Sequence, residues 1–180
     1  EDDGLCPLGT SGRELNLGVA ERLAGLLRGA GADARLTRTD ESWVPSEAKV
    51  LQANALGAEL FLTLRRAPDG GWGLAHHPGS AGGLRAARLL QETLPARDGT
   101  APPVIAESYD YLLRQTACPA VAVSLPLPAT VADEERARAP SHQLGVATGL
   151  FNAVAAWFAG RELLADLRDP EHHADTDERQ

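Results

Sequence analysis

A small hydroxyl closes the most apolar run of this chain. Residues Ala120–Leu125 read AVAVSL and stay apolar on both faces up to Ser124, the pattern of a central strand buried from both sides. In an open α/β sheet the carboxyl end of such a strand faces the ligand crevice, so Ser124 is expected to look into any site the fold makes. A second apolar run, 59–64 (ELFLTL), ends in Arg65 and Arg66, and Arg114 precedes the Ser124 run by a polar turn. Guanidinium groups at strand ends suit anion binding, because their fork grips a carboxylate through two parallel N–H bonds. Hydrolysis is another matter. No histidine stands in sequence where it would turn Ser124 into a nucleophile, and a serine hydroxyl is no general base.

The remaining residues with chemical capacity read more plainly. His76 and His77 are adjacent at the end of a strand-like run, so their side chains point to opposite faces, a poor geometry for one metal ion. His172 and His173 lie beside Asp169, Glu171 and Asp175 in a polar tail and read as solvated, and His142 as an exposed residue at the start of the last helix. Cys6 and Cys118 are too few for a disulfide framework and lack metal-type spacing. They read as two idle thiols, with a single bridge between them left open. Gly82-Gly83 and the Gly/Pro-rich stretch after residue 94 carry no Walker or dinucleotide pattern.

These residues need elements to hold them. Residues 1–12 are loop by composition. From Glu14 the spacing of Leu15, Val19, Leu23, Leu26 and Leu27 predicts a helix with one apolar face, ended by Gly29-Ala30-Gly31. Ser11 with Glu14 three residues on has the form of a capping box. Residues 34–37 read as a short strand, and 46–56 as a helix with Val50 and Ala53 inward. Strands follow at 59–64 and 72–76, then a helix over 80–94 with Leu84, Ala87 and Leu90 inward, then a loop at 95–103. A short strand at 111–113 precedes Ala120–Leu125, and a proline-punctuated stretch with a short charged helix comes after it. Residues 143–158 form the clearest amphipathic helix, with Val146, Leu150, Val154, Trp157 and Phe158 on one face. Alternating strands and helices predict an α/β fold: a three-layer domain whose mostly parallel central sheet is flanked by helices. The runs 59–64 and Ala120–Leu125 are expected as its inner strands. The domain spans 13–160, after a loop at 1–12 and before a short helix and polar tail at 161–180.

Composition narrows the functional classes. At 180 residues the chain makes one domain with a real core. Hydrophobic residues at 43% against 23% charged mark it as globular, and a net charge of −8 argues against nucleic acid as a partner. Lys49 is the only lysine and methionine is absent, which reflects base composition and has no functional weight. No apolar run approaches the roughly 18–20 residues of a membrane span, and no signal-peptide pattern is visible. The opening Glu1-Asp2-Asp3-Gly4 reads as part of something longer.

Several motifs then coincide in order. Glu14-Leu15-Asn16-Leu17 opens the first helix, and Leu36-Thr37-Arg38 ends the strand after it. Ala53-Asn54 and Gly57-Ala58-Glu59-Leu60-Phe61 span a helix-to-strand passage. Leu113-Arg114-Gln115-Thr116 leads to Pro119-Ala120-Val121, and Glu134-Glu135-Arg136 trails it. With these motifs, from about Gly12 to Phe158, the chain resembles the zinc-dependent N-acetylmuramoyl-L-alanine amidases, which cut the peptide from the sugar in bacterial cell walls.

The resemblance implies an amidase-like fold and a zinc held by two His and one Glu, with a further Glu activating the zinc-bound water. Three protein ligands leave a fourth position for water, whose pKa the metal lowers to roughly 7. By the same resemblance the first His follows a first strand that residues 1–12 do not contain, and the Glu ligand falls at Gly12. The second His falls at Arg65 and the general base at Ser124. Glu14 cannot stand in for Gly12, being about 200° away round a helix, and a permanent cation at Arg65 repels a metal. The expectation is therefore a pseudoenzyme of the cell envelope, outside the cytoplasm, with no cofactor and with peptidoglycan or another envelope protein as its partner. A working zinc amidase, with its first His upstream, is the alternative. Candidate ligand-binding residues are Arg65, Arg66, Arg114 and Glu14, with Arg65 paired to Glu14 or Glu107 if it merely plugs the former metal site.

Overall fold

The computed structural model describes residues 5–67, 71–94 and 102–166. In chain order the elements are α1 (Gly12–Gly29), α2 (Ser46–Ala55), β1 (Phe61–Arg66), β2 (Gly73–His76), α3 (Ala81–Thr93), β3 (Val104–Glu107), α4 (Tyr111–Gln115), β4 (Ala120–Leu125), α5 (Val131–Arg138) and α6 (Pro140–Asp166). The opening residues 1–4, most of the loop expected at 95–103, and the tail with His172 and His173 lie outside the described residues.

The four strands form one sheet in the order β1-β4-β2-β3. β1 with β4 and β2 with β3 pair parallel, while β2 runs antiparallel to β4. Every residue of β4 is buried, as its uninterrupted apolar run requires. Successive side chains of a strand alternate between faces, and this divides the core in two. Leu74, Val121 and Val123 pack with Val19 and Leu23 of α1, Leu90 of α3 and Leu150 of α6. On the opposite face Phe61, Ala75, Ala120 and Ala122 pack with Val50 and Ala53 of α2 and with Leu112 and Leu113 of α4. The result is a three-layer α/β architecture.

The helical faces follow the apolar spacing. α1 buries Leu15, Val19 and Leu23, and Ser11 caps it by accepting from Glu14 N at 3.0 Å. α6 buries Val146, Leu150, Val154 and Trp157. It runs on to Asp166 without a break, so 161–166 continue α6 where a separate short helix was expected.

Four expectations differ from the structure. Residues 111–113 are helical, not extended: Asp110 caps α4 by accepting from Leu112 N at 2.9 Å, and Leu112 and Leu113 drop onto the sheet. Residues 34–37 have no ladder partner among the described residues. Side chains take their carbonyls instead, Arg28 Nε donating to Ala34 O at 2.9 Å and Gln52 Nε2 to Leu36 O at 3.3 Å. β1 pairs with β4 alone and is an edge strand among the described strands, not an inner one. β3 was not expected, because a short edge strand paired only to β2 and largely exposed has no need of an apolar run.

Candidate functional site

The carboxyl ends of β1 and β4 bring Arg65 and Ser124 into register as direct neighbours, with Gly73 of β2 opposite Ser124 on its other side. Gly73 has no side chain, so Arg65 alone flanks the serine across the ladder. Its Nε donates to Ser124 Oγ at 3.3 Å, and its Nη1 donates to Asp110 Oδ2 at 3.2 Å. Asp110 is itself fixed. Its other oxygen caps α4, and its own N–H donates to Ser108 Oγ at 3.2 Å. The guanidinium is thus held between a strand-end hydroxyl and a helix-capping carboxylate, each half-buried pair member about a third exposed at 35% and 33%. The partner is Asp110, not the Glu14 or Glu107 expected. Among the described residues Ser124 Oγ bonds only to Arg65, so no base is placed to take its proton.

A short loop, the rim loop, leads into α1. Leu5 and Ser11 form an antiparallel bridge, and between them Cys6 N donates to Thr10 O and Gly9 N to Cys6 O. Gly9 takes φ 93° there, a left-handed turn position that suits glycine. Glu134 of α5, with no exposed surface, closes the loop from below. Its two oxygens accept from Leu8 N and from Thr10 N, the latter at 2.9 Å. Burial pushes the Glu134 carboxyl up, but the bonds from Thr10 and Leu8 outweigh it and hold the group below the usual carboxylate range. The Cys6 thiol is pushed up by burial and then by the Glu134 charge, while the Arg66 charge draws it down.

The other candidates do not join this cluster. Gly12 is buried as the first residue of α1. Glu14, one half-turn round, is exposed and lines a cleft of about 310 Å³ with Glu21, Arg138 and Gln143. Arg114 lies at the opposite end of β4, in a cleft of about 390 Å³ with His77, Ser80, Cys118 and Pro119. Arg66 follows Arg65 and projects from the other face of the strand. Cys6 and Cys118 are both free thiols, and the bridge left open by the sequence is not formed. His76 is buried with Nδ1 at 2.9 Å from His77 O, and His77 sets its ring edge-on to Tyr109.

Two functional side chains escaped the sequence reading. Asp110 was hidden because the residues after it look strand-like; an Asp two residues before buried leucines is the N-cap signal that would have found it. Glu134 was noticed only as part of a motif, and its burial has no signature in a helix as charged as VADEERAR. Among the described residues no three His, Cys, Asp or Glu side chains converge as a metal-holding group. No helix of the described residues is long and apolar enough to cross a membrane.

No family model matches this chain, and no curated protein sequence does either. Solved structures do. The N-acetylmuramoyl-L-alanine amidase AmiC2 of Nostoc punctiforme superposes with a TM-score of 0.76 at 17% identity, covering 88% of this chain and 91% of that one. The CwlD amidase of Clostridioides difficile, solved in complex with the GerS lipoprotein, gives 0.77 at 16% identity over 88% and 92%. The amidase Ami1 of Mycobacterium smegmatis gives 0.76 at 15% identity over 89% and 82%. The fold is that of these amidases.

Proposed function

We propose that this chain is a catalytically inactive amidase-like domain of the bacterial cell envelope, acting outside the cytoplasm by binding or scaffolding. One observation carries the reading: the Arg65 guanidinium lies against Ser124 Oγ at the carboxyl end of β4 and is neutralised by Asp110. By the resemblance, Arg65 and Ser124 stand where a zinc ligand and the general base belong, and buried Gly12 stands where a carboxylate ligand belongs. This donor set does not fit zinc. A guanidinium has no lone pair to give and repels the cation, a glycine offers no side chain, and a serine hydroxyl cannot take a proton from water.

Peptidoglycan is the first partner to test, since the fold's relatives are cell-wall amidases. A second envelope protein is the other, since one of those relatives was solved with a lipoprotein bound. The experiment has two arms on the purified domain. Elemental analysis after dialysis is expected to find far less than one zinc per chain, with no peptide released from sacculi; about one zinc per chain would restore the working amidase. Co-sedimentation with purified sacculi then assigns the partner. Retention in the pellet identifies a wall binder, and full recovery in the supernatant points to a protein partner.

A further inference from the structure

We propose that Glu134 is a positioning residue: its buried carboxylate latches the rim loop 5–11 to α5 and so holds Cys6 in its buried place. Among the described residues the loop has little else to hold it. Leu5, Pro7, Leu8 and Gly9 are exposed, with Leu5 at 70% and Leu8 at 48%, and only Cys6 and Thr10 turn inward. Its internal bonds, Cys6 N to Thr10 O and Gly9 N to Cys6 O, shape the turn without attaching it to the body. At its exit Ser11 is tied to α1 and to the exposed Glu41.

Glu134 supplies the attachment. It has no exposed surface, and a carboxylate so placed is tolerated only when hydrogen bonds replace its water. Leu8 and Thr10 provide these, one backbone N–H to each oxygen with the Thr10 side chain in addition, in charge-assisted bonds that are about twice as strong as neutral ones. Arg138, one turn along α5, adds a favourable charge, and the Cys6 thiol lies alongside. The two backbone N–H groups arrive from one short loop and face both oxygens, so an amide cannot replace the carboxylate: its NH2 would meet an N–H. With the latch gone, the loop loses its anchor and Cys6 is uncovered. The proposal concerns the place of the loop and holds whatever the domain binds.

The test uses the whole chain in a Cys118→Ser background, leaving Cys6 as the one thiol. Maleimide labelling of Cys6 at fixed neutral pH is read beside amide exchange at Leu8, Thr10 and, as a control, Val123 of β4. Glu134→Gln is expected to speed labelling by about tenfold or more and to strip protection from Leu8 and Thr10 while Val123 stays protected. Glu134→Asp, which keeps the charge with a shorter reach, should recover part of the loss. Labelling at the unsubstituted rate would overturn the proposal, and so would a rise matched by loss of protection at Val123. Should Glu134→Gln not fold, the unsubstituted protein decides alone: slow exchange at Leu8 and Thr10 supports the latch, and free-peptide exchange rates there refute it.

Discussion

At the scale of single residues, Arg65 behaves as a brace. Its two bonds tie β1 to β4 and to the cap of α4. Because both members of the ion pair are about a third exposed, solvent screening limits the contribution to about 1 kcal/mol. Arg65→Ala is therefore expected to lower Tm by roughly 2–4 °C in a domain of this size, and the double substitution with Asp110→Ala should fall short of additivity. An unchanged Tm with lost sacculus binding would make Arg65 a ligand clamp instead. Ser124 could be placed from the sequence alone, because a polar residue ending a doubly buried run has only the strand end to occupy. The partner of Arg65 could not. Asp110 lies 45 residues away, and a pairing across that distance leaves no periodic trace, so the nearer-seeming Glu14 and Glu107 were natural but wrong choices.

Among the elements, α5 and α3 make opposite demands. α5 contributes a charge, and its pH dependence can be signed. A carboxylate whose folded pKa lies below its unfolded one stabilises fully above the unfolded value and stops doing so as pH falls through the folded value. Glu134 is of this kind. The Tm difference between the unsubstituted protein and Glu134→Gln should hold steady from about pH 8 to about pH 5 and close below about pH 4. α3 contributes closeness. A Cβ at Gly83 would stand 3.0 Å from Ala120 O and 2.9 Å from Ser80 Oγ. The carbonyl belongs to β4 and cannot yield, so overpacking of about 1–3 kcal/mol outweighs the gain of about 1 kcal/mol that alanine brings to a helix. Gly83→Ala should lower Tm. The long helices were legible because Leu15, Val19 and Leu23, or Val146, Leu150 and Val154, repeat at the helical period. The short elements were not: α4 is five residues and β3 four, too few for any period to show, and their form is set by Asp110 and by β2.

On the scale of the whole molecule, the order of the described strands places β4 between two partners and leaves β1 with one among them. Amide exchange should accordingly be slower throughout β4 than in β1, and equal rates would contradict that order. The order was beyond the sequence because 34–37 and 59–64 carry strand-like patterns that do not reveal which neighbour each will find. The long reach of the rim-loop latch has a consequence for how the chain is made. Its two bonds span 126 and 124 residues. During synthesis at roughly 5–20 residues per second, the loop emerges roughly 6–25 s before its clamp. Cys118 also precedes Glu134, so both thiols are out of the ribosome while the segment around Cys6 is still unanchored. The loop's own two bonds can shape its turn during that interval, but its attachment to the body waits for α5.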